Sequence, residues 1–145
     1  MKLDKEDIEL INEASQIAKE NADMQELMNF VLASCVKAKS GKIYKGVNIT
    51  TSHSICAEQV ALGQALACGE REFDTIVTVK LDNTTGKTRV VSPCGLCRYT
   101  FDKLKLNDMN VIVEDIQNDT VLKVKMGELL PYPYARHRKN KENKA

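Results

Sequence analysis

The sequence predicts a three-layer α/β domain on a mixed sheet, because helix-like and strand-like segments alternate and no repeat, low-complexity stretch or linker interrupts them. The apolar run at 74–81 points the same way: such a strand suits a sheet covered on both faces. A chain of 145 residues is long enough to bury one such core.

The first helix is expected over 5–21, where Ile8, Ile11, Ala14, Ile17 and Ala18 recur at three- and four-residue steps. Two strands, 30–37 and 42–49, follow as a hairpin, with Ser40-Gly41 as its turn. A second helix is expected over 56–68 and stops at Gly69. Ala57, Ala61, Gly63, Ala65 and Ala67 make it small-sided, so it can approach another backbone closely, at the centre of the fold or of an oligomer interface. After the strand at 74–81, residues 82–86 form a turn and 89–91 a short extended piece. Ser92-Pro93 reads as a helix start, serine as cap and proline at the first helical position, and that helix reaches Leu106. A strand from Asn110, an edge strand from Val121 and a non-helical Pro131-Tyr132-Pro133-Tyr134 complete the order.

Apolar residues at 43% and charged residues at 28% exclude a disordered or fibrous chain. No run approaches the roughly 18 apolar residues of a membrane span, and the charged start lacks the apolar core of a secretory signal. The expected location is therefore the cytoplasm. Five cysteines, an odd number in a reducing compartment, point to metal binding or catalysis rather than a disulfide framework. A net charge of +1 and 5% aromatics give little support to a nucleic-acid partner. Residues 1–135 are expected to form the single domain, and 136–145 a basic, disordered tail.

Chemistry concentrates at 54–58 and 92–98, each where a helix is expected to begin. Catalytic zinc takes three protein ligands and keeps its fourth tetrahedral position for water; Cys56, Cys94 and Cys97 supply that number. Cys56 and Glu58 stand two apart, on nearly opposite sides of a regular helix, so the metal must sit off the helix end. There free N–H groups favour anions. Glu58 is then placed as a general acid and base. A closed structural site, with Cys35, Cys68 or His53 as fourth ligand, and a zinc-stabilised binding module without chemistry are the competing readings. Cys35 and Cys68 otherwise read as buried small hydrophobes. Arg98 stands beside Cys97, available either to offset thiolate charge or to form a surface salt bridge.

Cys56-Ala57-Glu58 followed by Pro93-Cys94-Gly95-Leu96-Cys97 resembles the signature of the cytidine deaminase superfamily, in which Cys or His, any residue and Glu precede Pro-Cys-x-x-Cys. Residues 73–79, 89–98 and 128–131 extend the resemblance, most nearly to its blasticidin-S deaminase branch. The resemblance implies an αβα sandwich around a five-stranded mixed sheet, a homotetramer with one Zn²⁺ per subunit, and a free nucleoside as substrate. It implies Cys56, Cys94 and Cys97 as metal ligands, Glu58 as proton shuttle, Asn48 near the sugar, the Ala57 backbone near the base, and Tyr134 closing its own or a neighbour's site. Hydrolytic deamination of cytidine or 2′-deoxycytidine is the activity it implies, with blasticidin S or a related aminoacylated cytosine nucleoside as alternative. Thr50 stands where the resemblance places a sugar-gripping glutamate, Gln59 where it often places arginine, and Tyr99 where it often places glutamine.

Overall fold

The structure, a computed structural model, describes residues 1–135; the tail at 136–145 lies outside them. Its elements are α1 (Lys5–Glu20), α2 (Gln25–Met28), β1 (Leu32–Ala38), β2 (Ile43–Val47), β3 (Ile49–Thr50), β4 (Ser54–Ile55) and α3 (Ala57–Ala67). They continue with β5 (Phe73–Leu81), β6 (Thr88–Val91), α4 (Gly95–Lys103), β7 (Asn110–Asp115), β8 (Thr120–Lys125) and a 3-10 turn, Met126–Leu129.

The sheet order is β2-β1-β5-β7-β8, with β6 also paired to β5. The five-stranded path therefore gains a sixth strand, since β5 shares one edge between two neighbours. Its first half pairs in parallel with β7, Thr75 to Val77, and its second half antiparallel with β6, Thr78 to Leu81. All other pairings are antiparallel, which makes the sheet mixed. One face packs on α1, with Leu10, Ala14 and Ala18 against Ala33, Cys35, Val77 and Ile112. The other face carries α3 and α4, with Ala61, Ala65 and Phe101 against Val36, Ile76 and Val111. Three layers result, as expected, and β5 is covered on both sides.

Differences from the expected elements have local causes. In α1 the buried stripe is Asp7, Leu10, Ala14 and Ala18, while Ile8 is exposed. The helix is rolled because Asp7 caps it through the Asp4 N–H and accepts from Lys123 Nζ at 2.7 Å, an ion pair that makes its burial tolerable. Helix α4 begins at Gly95, later than Ser92-Pro93 suggests, because Cys94 is the cap and its carbonyl takes the Arg98 N–H at 3.0 Å. It ends before Leu106, where Lys105 turns to a positive φ of 59°. Cys68 caps the end of α3 and is exposed, whereas Cys35 is buried as expected. The strand expected over 42–49 ends at Val47, and Ile49 instead opens a separate two-stranded hairpin, β3 with β4.

The register brings Gly46, Ser34, Thr78 and Val91 into one row across the sheet. Small side chains in that row let the first turn of α3 lie close. A Cβ on Gly46 would stand 2.4 Å from the Ala61 nitrogen and 2.5 Å from the Ala57 oxygen. Gly46→Ala is therefore expected to lower unfolding free energy by about 1–3 kcal/mol, the usual cost of overpacking. Urea unfolding checks it; an unchanged midpoint would show that α3 can retreat freely.

Candidate active site

The end of β6 lies beside Thr78, midway along β5, so the loop at 92–94 leaves the sheet in front of α3. Cys56 and Cys94 are the caps of α3 and α4, both with extended backbone, and Cys97 sits in the first turn of α4. The three sulfurs lie within 4.8 Å of one another, and Cys56 Sγ is 3.6 Å from Cys94 Sγ. Tetrahedral zinc with thiolates at about 2.3 Å would space its sulfurs by about 3.8 Å, so this donor set fits that ion.

Among the described residues no fourth His, Cys, Asp or Glu joins the group. The three residues that could have closed the site lie elsewhere. His53 is exposed, its Nδ1 3.3 Å from the Ser52 hydroxyl. Cys35 lies on the α1 face of the sheet, and Cys68 caps the far end of α3.

The electrostatics match a cation site. Burial pushes the Cys97 thiol far up, and the Glu58 carboxylate and the other two cysteines push it further. Burial likewise raises Cys56, with Cys94 and Glu58 adding to it. At Cys94 burial acts upward too, but hydrogen bonds from Cys97, Cys56 and the Leu96 backbone outweigh it and hold the thiol below its ordinary value. Three thiols this close resist ionising together, and a bound dication removes that resistance. Gln59 adds a neutral donor: its Nε2 lies 4.0 Å from Cys97 Sγ and 3.4 Å from Thr100 Oγ1.

Glu58, the second residue of α3, is 6% exposed. It lines a cavity of about 210 Å³ together with Cys56, Cys94, Ala57 and Asn48. The cavity is smaller than the roughly 300–1,000 Å³ typical of ligand pockets.

The other predicted residues divide. Asn48 reaches the cavity but is also tied to its own chain: Oδ1 accepts from the Leu32 N–H at 2.9 Å, and Nδ2 donates to the Phe30 carbonyl and to Thr50 Oγ1. Thr50 stands behind Asn48 and is not in the lining. Tyr134 is 71% exposed and also outside it; its carbonyl accepts from Lys103 Nζ. Arg98 also has a structural use that the sequence did not suggest. Its Nε donates to the Pro93 carbonyl at 2.7 Å and its Nη1 to the Leu129 carbonyl, so it clamps the Cys94 loop to the 3-10 turn.

Phe30, Leu32, Ser54, Val91 and Ser92 also line the cavity and were not singled out by the sequence. Ser92 lies in the Ser-Pro-Cys motif and Ser54 two residues before Cys56, so proximity to the ligands was the available signal. Phe30 and Leu32 share one side of an extended segment, a parity that marks a face but not a cavity.

Comparisons with known proteins agree with this geometry. Residues 4–113 match the family described as the cytidine and deoxycytidylate deaminase zinc-binding region. A blasticidin-S deaminase from Bacillus cereus is 32% identical over 142 residues, 93% of this chain and 96% of that protein. A cytidine deaminase from Halalkalibacterium halodurans is 33% identical over 125 residues, 84% of this chain and 89% of that protein. The crystal structure of cytidine deaminase from Burkholderia pseudomallei superposes with a TM-score of 0.64 at 30% identity, covering 84% of this chain and 94% of that one. With three sulfurs placed to hold zinc beside a glutamate, and with relatives matching along most of its length, this chain belongs to the zinc-dependent cytidine deaminase family.

Proposed function

We propose that this chain hydrolyses the exocyclic amine of a cytosine nucleoside, converting cytidine or 2′-deoxycytidine to uridine or 2′-deoxyuridine with release of ammonia. The observation that carries the reading is the placement of the Glu58 carboxylate in the same small cavity as Cys56 and Cys94. Cys56, Cys94 and Cys97 would hold Zn²⁺, which when bound supplies a Lewis acid that makes water a nucleophile near neutral pH.

The chain's own groups do the rest. Glu58 takes a proton from water, delivers it to the ring nitrogen beside the attacked carbon, and passes the next proton to the departing amine. Near-complete burial restricts that carboxylate beside the cavity, where it would meet both water and base. Ala57 begins α3, where backbone N–H groups are free to bind the base. Phe30, Leu32 and Val91 supply apolar walls that seat the ring, and Asn48 lies toward the sugar. Arg98 keeps the Cys94 loop in place.

We read residues 1–135 as a single domain, supported by one sheet against which α1, α3 and α4 all pack. We also read the protein as a homotetramer in which Tyr134 closes a neighbour's cavity. Exposed Ile49, Ile55, Leu96, Tyr132 and Tyr134 give it apolar surface to cover. No helix among the described residues is long and apolar enough to cross a membrane. Cys68, exposed and outside the metal cluster, suits the reducing cytoplasm.

A second reading is favoured by two observations. The blasticidin-S deaminase relative is matched along nearly its whole length, and Thr50 offers no carboxylate to a ribose hydroxyl. Blasticidin S or a related aminoacylated cytosine nucleoside is then the substrate.

The test is ammonia release by zinc-loaded protein from cytidine, 2′-deoxycytidine, cytosine and blasticidin S, with the assembly's mass measured on the same preparation by light scattering. Turnover of either natural nucleoside well above free cytosine supports the first reading, and turnover of blasticidin S alone the second. Activity on none of the four would sink both.

A further inference from the structure

Lys80 is a half-buried cation on the face of the sheet that carries the cavity. On β5, Ile76, Thr78 and Lys80 share the side that α3 covers, because Val77, Val79 and Leu81 belong to the α1 side. Lys80 pairs with Leu32 on β1 and with Arg89 on β6, while Thr78 pairs with Val91. Leu32 and Val91 both line the cavity, so Lys80 stands beside its wall. Strand β6 runs from Thr88 beside Leu81 to Val91 beside Thr78, so the chain that continues to Cys94 leads away from Lys80. The sulfurs therefore lie toward one end of this face, and Lys80 toward the other, about 7 Å along β5 from the row of Val91. Its ammonium rests over the Phe30 ring, 5.8 Å from the centroid, and Phe30 is another wall of the cavity.

The surrounding charges leave this ammonium without an ionic partner. Arg89 is taken by Glu114 at 2.8 Å. Asp82 shares a recess of about 170 Å³ with Lys80, Leu81 and Arg89, but its Oδ1 accepts from the Thr84 and Thr85 N–H groups at 2.8 and 2.9 Å. Among the described residues no carboxylate lies within ion-pair distance of Lys80. The cavity lining holds one acid, Glu58, beside the cysteines, and Asn48 and Ser54 are neutral. A lysine laid on an aromatic ring keeps its charged head in place at low cost.

We propose that Lys80 is a specificity-determining residue that binds an anionic group, carboxylate or phosphate, carried on the sugar of a cytosine nucleoside. The inference rests on the deaminase reading above and deepens it by naming the preferred substrate class. The base enters toward the sulfurs, the sugar lies beside Asn48 and Leu32, and a negative substituent on that sugar meets the ammonium. A neutral nucleoside fits the same cavity and forgoes the pair.

Steady-state kinetics of the zinc-loaded protein with cytidine, cytidine 5′-carboxylate and cytidine 5′-monophosphate provide the test. At low salt the anionic compounds should show a KM about ten-fold below that of cytidine, the worth of one charge-assisted hydrogen bond discounted for exposure. Added salt should narrow that ratio. Lys80→Met, which keeps the stem, should bring the ratio close to unity, and Lys80→Arg should preserve it. Preference for the carboxylate alone identifies a sugar acid and preference for the phosphate alone a nucleotide, and either supports the contact. Equal KM for all three compounds in wild type, or a ratio that Lys80→Met leaves intact, would overturn the proposal.

Calorimetric binding of the two anionic compounds to zinc-loaded Glu58→Gln, with and without Lys80→Met, reads the contact without turnover. The second substitution should weaken binding about ten-fold. If wild-type protein releases no ammonia from any of the three compounds yet that difference persists, the deamination reading fails and the Lys80 contact stands. Equal affinity in the two proteins overturns the Lys80 contact alone, and absence of binding to either overturns both.

Discussion

Glu58→Gln is expected to reduce turnover of cytidine by about 10²- to 10⁴-fold, the range that a positioned acid-base group contributes. That loss corresponds to about 3–5 kcal/mol of transition-state stabilisation. The substitution keeps side-chain length and volume, so the first turn of α3 and its close approach to Gly46 are undisturbed. It removes the ability to accept a proton from water and return it to ring nitrogen and amine. Glutamine can donate a hydrogen bond but cannot carry either transfer.

Three measurements separate this from a general defect. Bound zinc, counted by mass spectrometry, should remain at one per chain, because the sulfurs and not Glu58 form the donor group. The thermal unfolding midpoint should stay near the wild-type value. KM should change less than turnover, since the lost interaction belongs to the reaction rather than to the resting complex. Turnover that survives the substitution would leave the cavity as a binding site with some other proton carrier.

Much of this site was legible because its chemistry is written in short spacings. Cys94 and Cys97 are three apart at a helix start and Cys56 caps another, so the convergence of two helix beginnings followed from local signals. What the sequence concealed depends on partners far along the chain. The roll of α1 is set by Asp7 and Lys123, 116 residues apart, and no periodicity in 5–21 carries that information. The sixth strand arises because β5 divides one edge between β6 and β7, a choice made by tertiary packing.

Ser54 was hidden for a related reason. Its hairpin has two-residue strands, too short for any alternation pattern, and is defined by the Asn48–Thr50–Ser54 hydrogen bonds. Arg98 was singled out for its adjacency to Cys97, but its hydrogen bonds to the Pro93 and Leu129 carbonyls depend on a partner 31 residues away and could not be read from that spacing.

Cys94→Ser should abolish turnover and lower zinc affinity by more than the roughly 100-fold that loss of an outer hydrogen-bonding partner can cost. Position 94 makes this a clean substitution. The residue is exposed and caps α4, and serine is among the best caps, so the helix start should be held at least as well as before. The defect should therefore fall on the metal rather than on the fold of α4. Zinc added to metal-free wild type should raise its unfolding midpoint, because an ion that binds the folded chain alone stabilises it in proportion to its affinity. In Cys94→Ser that rise should nearly vanish. Cys68→Ser, which changes an exposed cysteine at the other end of α3, should retain both the rise and the activity. Zinc retention should also weaken as pH falls, since protons compete with the ion for the thiolates. A Cys94→Ser protein that keeps stoichiometric zinc and turns over nucleosides would mean that the three-sulfur cluster is not the catalytic metal site.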